Sequence, residues 1–212
     1  MRTDELIALL ARDPTPPPEA PGRPLLVLAG ATLISLVLIL VLLRPRPDLA
    51  SAAGETMFWG KLVFVLSLAG VGAWAARQLS APGRVARAAP LLLLAALLAM
   101  GIPAASELLA APQAQTRGAL WLGKTWRTCP GLIAALSLPI FAAWIWVLRR
   151  RAVVAPRLAG AAAGLAAGGM AAALYCLHCP ESSAAFVATW YVLGMAVPAA
   201  AGWLAGWRLL RW

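Results

Sequence analysis

Between residues 25 and 43 the chain reads LLVLAGATLISLVLILVLL, a run with no charge at all. At 1.5 Å of rise per residue, about 20 such residues cross the roughly 30 Å hydrocarbon core of a bilayer. Five more windows of this kind follow, at 58–76, 90–110, 130–148, 158–178 and 186–210. Backbone amides in hydrocarbon must be paired internally, which permits only helices or closed barrels, and these runs lack the alternation of barrel strands. The expected fold is therefore an all-α integral membrane protein: a six-transmembrane-helix bundle with a short cytoplasmic amphipathic helix at the N-terminus. A 62% hydrophobic and 12% charged composition agrees with that class. The first window reads as retained rather than as a cleaved leader: a polar segment precedes it, Arg44 and Arg46 follow it, and no small-residue cleavage site is evident. Two units result, residues 1–24 as a binding segment with a proline-rich tether and residues 25–212 as the six-helix domain.

The net charge of +10 does not require nucleic acid as a partner, because membrane proteins collect Lys and Arg in their cytoplasmic loops. One set of connections carries Arg2, Arg12, Arg23, Arg77, Arg84, Arg87, Arg149, Arg150, Arg151, Arg157, Arg208 and Arg211; the other carries Arg44, Arg46, Lys61, Arg117, Lys124 and Arg127. Twelve against six places both termini in the cytoplasm. The tryptophans form two belts in agreement, Trp59, Trp121 and Trp126 at one interface and Trp74, Trp144, Trp146, Trp203 and Trp207 at the other.

On this topology Cys129, Cys176 and Cys179 all reach the outer face, an oxidising compartment in which thiols form disulfides or meet metal. The stretch YCLHCPE, residues 175–181, also holds the chain's single histidine, His178. Pro180 is expected to end the fifth window near Cys179, with Ser182 or Ser183 capping the sixth. The helix start beyond Cys179, and His178 when protonated, would lower that thiol's pKa, and Glu181 would raise it. If Cys176 and Cys179 are both helical, their Cβ atoms stand about 5–6 Å apart, whereas a disulfide needs about 3.8 Å. Cys129 is the better partner, and one thiol is left over. Three readings follow: a structural staple; a sensor in which oxidant or a soft metal such as zinc or cadmium engages Cys129, Cys179 and His178; or a membrane thiol–disulfide oxidoreductase. The last lacks a thioredoxin-like βαβ pattern and an even number of cysteines, and Pro180 after Cys179 rules out a Cys-x-x-Cys-His haem motif. No resident cofactor is implied, only a transient metal ion or disulfide.

Gly160, Gly164 and Gly168 recur every fourth residue, the pattern that lets two helices approach closely. Pro103, Pro139 and Pro198 fall inside windows as candidate kinks. Glu107 is an acid within a span, with Lys61 and Arg117 in the same outer zone, so it reads either as half of an ion pair or as a transport residue. No chain of acids crosses the membrane, which demotes a small-solute transporter and, with it, a small-molecule substrate.

The opening MRTDELIALLARDPTPPPE has its own pattern. Thr3 can cap a helix, Asp4 and Glu5 suit its first turn, and Leu6, Ile7, Leu9 and Leu10 make an apolar stripe that stops before Pro14. A helix of about ten residues is marginal alone and needs a groove to lie in. Acidic Asp4, Glu5 and Asp13 favour a protein groove over an anionic lipid surface.

Two separated stretches, TDELIALLARD and HCPESSAAFVATWYVLGM at residues 178–195, resemble the NrsF family, negative regulators of sigma factor F that are six-helix membrane anti-sigma factors. The resemblance implies a regulator rather than an enzyme, held in the bacterial inner membrane without direct contact to nucleic acid. It implies that the N-terminal segment sequesters an extracytoplasmic-function sigma factor, and that paired outer cysteines release it under heavy-metal or oxidative stress. By position that pair is similar to Cys129 and Cys179, with Cys176 outside it.

Overall fold

The computed structural model describes residues 22–211 together with Thr3, Glu5 and Ala8. Those three N-terminal residues are helical and exposed, while Asp4, Leu6, Ile7, Leu9, Leu10 and Asp13 lie outside the described residues. Among the described residues there are helices and no strands. They run α1 (Arg23–Leu43), α2 (Leu49–Ala52), α3 (Thr56–Leu79), α4 (Ala89–Ala110), α5 (Ala114–Leu122), α6 (Cys129–Leu148), α7 (Pro156–Tyr175) and α8 (Ala184–Leu209). Six of them, all but α2 and α5, are long and apolar enough to cross a membrane.

Local chemistry sets these boundaries. A proline occupies the first turn of α1, α4, α6 and α7, where its missing N–H costs no intrahelical bond. Pro103, Pro139 and Pro198 lie inside α4, α6 and α8, as the sequence leads one to expect. Two helices carry a π-turn, Ile39–Leu43 at the end of α1 and Val187–Tyr191 near the start of α8. Helix α7 stops at Tyr175 rather than continuing to 178. The amides of His178 and Cys179 both bond to the Tyr175 carbonyl at 3.0 Å, a closing turn that Pro180, without an N–H, does not extend.

Helix α7 is the centre of the bundle, with α3, α6 and α8 packed around it. Its alanines and glycines allow this, because backbones can approach where side chains are absent. A Cβ added to Gly160 would strike the carbonyl oxygen of Gly202, and one on Gly164 the carbonyl oxygen of Pro198, both on α8. On the other face, a Cβ on Gly72 of α3 would lie 2.6 Å from the Ala166 amide nitrogen, and one on Gly169 2.8 Å from that of Ala69. The recurring glycines are thus packing residues, as the every-fourth spacing predicts. Helix α1 lies on α6, where Ser35 Oγ donates to the Leu136 carbonyl at 2.8 Å.

The six long helices alternate in direction. One end of the bundle therefore gathers the C-termini of α1, α4 and α7 with the N-termini of α3, α6 and α8. All three cysteines are at that end, and the arginines of the 77–87 and 149–157 connections are at the other.

Candidate thiol site

The segment 176–183 is the hub of the thiol end, and almost every neighbouring element bonds to it. From the α1–α2 connection, the Arg46 amide donates to the Leu177 carbonyl at 3.0 Å, and His178 Nδ1 pairs with the Arg44 carbonyl at 2.8 Å. From α3, Lys61 Nζ donates to the carbonyls of Cys179 at 3.3 Å and Glu181 at 3.0 Å. From α4, the Glu107 carboxylate accepts from Ser183 Oγ at 2.9 Å and from the Ala185 amide at 3.0 Å. The α5–α6 connection supplies the Lys124 amide, which donates to Glu181 Oε1 at 2.7 Å.

Gly123 makes that last approach workable. Its φ of +58° is in the left-handed region, and a Cβ there would sit 2.7 Å from the Glu181 carboxylate. Ser183 caps α8, its Oγ accepting from the Phe186 amide at 3.4 Å, so one of the two serines named as caps takes the role. Glu107 supplies a second cap from a different helix, where its negative charge faces the positive end of the α8 dipole. Glu107 is therefore a capping acid, and among the described residues it has no ion pair with Lys61 or Arg117, whereas Arg46 pairs with Asp48. Arg117 Nε instead donates to the Ala111 carbonyl at 3.0 Å.

Within this frame the sulfurs separate into two groups. Cys129, Cys176 and Cys179 are all fully buried and all free thiols. Cys129 and Cys179 are close enough to bias each other's ionisation, and Cys179 Sγ also lies 3.9 Å from Thr125 Oγ1. Cys176 turns back into its own helix, its Sγ donating to the Ala172 carbonyl at 3.3 Å. His178 is engaged by the Arg44 carbonyl and the ring of Tyr175. Of the four residues singled out as redox or metal ligands, the fold thus brings Cys129 and Cys179 together and leaves Cys176 and His178 engaged elsewhere. Among the described residues no cluster of three or more His, Cys, Asp or Glu is arranged to hold a metal ion.

Two further groups shape the pocket around the pair, and sequence reasoning gave neither of them a place here. Lys61 is only 1% exposed and is held by carbonyl oxygens, with its ammonium 5.6 Å above the Tyr191 ring. A buried cation without a carboxylate is costly unless its protons are satisfied. Its position six residues into α3 was the available signal, as a lysine inside an apolar window. The Tyr191 hydroxyl is fully buried beside Cys176 and Cys179 and has no partner in hydrogen-bond geometry among the described residues. Cys179, in the connection between helices, is held below the ordinary thiol range. The chief cause is the neighbouring Cys129 thiol, against the opposing effect of burial, with Tyr191 and the Lys61 charge adding to the lowering.

A sequence model of the NrsF family, described as "Negative regulator of sigma F", matches residues 10–212. The chain belongs to the NrsF family. It is 44% identical over 218 aligned positions to the "Probable anti-sigma-F factor NrsF" of Azospira oryzae, and 40% identical over 215 to the "Anti-sigma-F factor NrsF" of Caulobacter vibrioides. Both alignments cover the whole of each chain. No solved structure matches it. For an NrsF protein the thiol hub thus lies wholly inside the part matched by the family, whereas that match begins at residue 10, late in the N-terminal segment.

Proposed function

We propose that this protein is an anti-sigma factor of the bacterial inner membrane. It sequesters an extracytoplasmic-function sigma factor through its cytoplasmic N-terminal segment and releases it when Cys129 and Cys179 are oxidised or bind metal. The observation that carries this reading is the full-length identity to two anti-sigma-F factors. The excess of arginines at the end opposite the thiols supports the orientation, with both termini in the cytoplasm.

In the resting state Leu6, Ile7, Leu9 and Leu10 lie in an apolar groove of the sigma factor, and Asp4, Glu5 and Asp13 meet basic residues at its rim. The signal acts on the two thiols. Cys129 and Cys179 lose two protons and two electrons to a thiol oxidant and join as a disulfide, or they lose two protons as a zinc or cadmium ion binds both sulfurs. The disulfide draws the start of α6 and the 176–183 segment to covalent distance.

That segment holds α1 through Leu177 and His178. Helix α1 runs uninterrupted from Leu43 back to Arg23, where the sigma-binding tether begins. A shift of the segment thereby biases the position of α1, which supplies a route from the thiols to the opposite face. Recruiting His178 as a third metal ligand requires breaking its bond to the Arg44 carbonyl and acts on the same route. Release by a hundredfold needs about 2.7 kcal/mol of coupling, within reach of one disulfide or metal site.

The direct test of sequestration is co-purification of the cognate sigma factor from membranes with the full chain and with a chain lacking residues 1–24. The full chain should retain the sigma factor and the shortened chain should lose it, with sigma-dependent transcription rising. Equal retention by both places the binding surface elsewhere and defeats this reading of the N-terminal segment.

A further inference from the structure

The end of the bundle away from the thiols carries a cavity of about 530 Å³ along one face of α3, at the helical spacing of Gly70, Ala73, Trp74 and Arg77. Arg84 and Arg151 close it from two separate connections. The cavity is graded along its length. Toward the middle of the bundle its wall is apolar, and nothing stands within 4 Å of where a Cβ on Gly70 would be. At the bundle end it has three guanidinium groups, and among the described residues no carboxylate lines it.

Net positive charge at this end would be unremarkable by itself, and what the individual arginines do is the informative point. Arg149 donates to the Leu209 carbonyl at 2.8 Å. Arg150 lies 4.1 Å over the Trp146 ring, Arg157 4.9 Å over Trp203 and Arg211 3.7 Å over Trp207. The guanidinium groups of Arg77, Arg84 and Arg151 have no carboxylate, carbonyl or ring partner among the described residues. They are the ones that converge on the cavity.

Three unpaired planar donors suit the oxygens of a phosphate, and an apolar trough beneath them suits hydrocarbon. We propose that this cavity binds the phosphate headgroup of an anionic membrane lipid, with Arg77, Arg84 and Arg151 on the phosphate and the glyceride chains along Gly70, Ala73 and Trp74. Phosphate in solution shares the headgroup chemistry but leaves the apolar wall unused. The proposal stands apart from sigma-factor regulation and needs only that the six helices lie in a bilayer.

The test uses the full chain in nanodiscs of phosphatidylcholine with phosphatidylglycerol as a minority component, and reads by native mass spectrometry the ratio of the two lipids retained. The wild type should retain phosphatidylglycerol in preference. Arg84→Gln and Arg151→Gln should each lower that preference about fivefold. Arg87→Gln, in the same connection as Arg84 but not lining the cavity, should leave it unchanged. All three are exposed positions whose substitution should leave the fold intact.

No preference in the wild type, or equal losses from all three variants, would overturn the proposal. So would binding of inorganic phosphate in pure phosphatidylcholine discs, sensitive to Arg84→Gln, without any lipid preference; that result assigns the cavity to a soluble anion. A preference that emerges only when Asp4, Glu5 and Asp13 are neutralised would show that the chain's own acidic segment holds the cavity, and would overturn it equally.

Discussion

Lys61 Nζ donates to the carbonyl oxygen of Cys179, 3.3 Å away and 118 residues later in the chain, and to that of Glu181 at 3.0 Å. This pair of bonds ties the backbone of the thiol segment to the first turns of α3. Hydrogen bonds from a charged donor contribute on the order of 1.5–3 kcal/mol each, and losing them here also strands two carbonyls in a closed site. Lys61→Met should therefore free the 176–183 segment without unpacking α7. The expected result is faster alkylation of Cys179 by a small maleimide in membranes, with near-normal amide exchange in α7. Unchanged alkylation would mean that the clamp does not hold the segment.

Glycine packing gives a second prediction. At Gly164 an added methyl meets backbone rather than a movable side chain, so Gly164→Ala should destabilise the α7–α8 interface by about 1–3 kcal/mol. Gly101→Ala on α4 has open space around it and should be neutral or slightly stabilising through helix propensity. Thermal unfolding of the two variants in the same detergent separates these outcomes.

Capping of α8 from another helix is the third. Glu107→Ala removes an acceptor from the Ala185 amide and from Ser183 Oγ, a loss of about 0.5–2 kcal/mol by analogy with other N-caps. Hydrogen exchange at Ala185 and Phe186 should accelerate while that at α8 residues beyond the π-turn stays slow. If the whole of α8 exchanges faster, Glu107 supports more than the cap.

Acid dependence at the thiol end should enter through Asp48. The Arg46 guanidinium grips this carboxylate at 2.7 and 2.5 Å and holds it down to about 2 from an ordinary 3.8. A carboxyl depressed in the folded state stabilises above its unfolded value and loses that contribution as pH falls through the folded one. The contact should persist at pH 4 and be lost toward pH 2, with the Arg46 amide, bonded to Leu177, exchanging faster over that interval. Carbon-13 titration of Asp48 should show the low midpoint, and Arg46→Gln should return it toward the ordinary range.

The spanning helices were legible because each needs about 20 apolar residues, and such windows survive any detail of packing. Their ends lie within about three residues of the expected windows, and four of the six carry a proline in the first turn. Helices α2 and α5 were not legible: four and nine residues long, they sit in polar connections and form by leaning on their neighbours. That Cys129 would meet one of the two thiols at 176 and 179 followed from depth, and the choice of Cys179 was what the family resemblance implied. The separation of Cys176 from that pair depended on α7 ending at Tyr175, a matter of one turn. Lys61 and Glu107 looked like interfacial charges in search of ions; their partners are backbone groups and a serine hydroxyl, which no residue pattern displays. The metal role of His178 rests on its nearness in sequence, whereas its bond to Arg44 couples two connections that are 134 residues apart.

The central claim is that the state of the Cys129 and Cys179 sulfurs governs the hold on a sigma factor. Its most direct test is the amount of sigma factor retained by the full chain in membranes, before and after cadmium or a thiol oxidant, for the wild type and for Cys129→Ser, Cys179→Ser and Cys176→Ser. Wild type and Cys176→Ser should lose the sigma factor on treatment, while Cys129→Ser and Cys179→Ser should retain it. Release from Cys129→Ser and Cys179→Ser equal to that of the wild type would contradict the account.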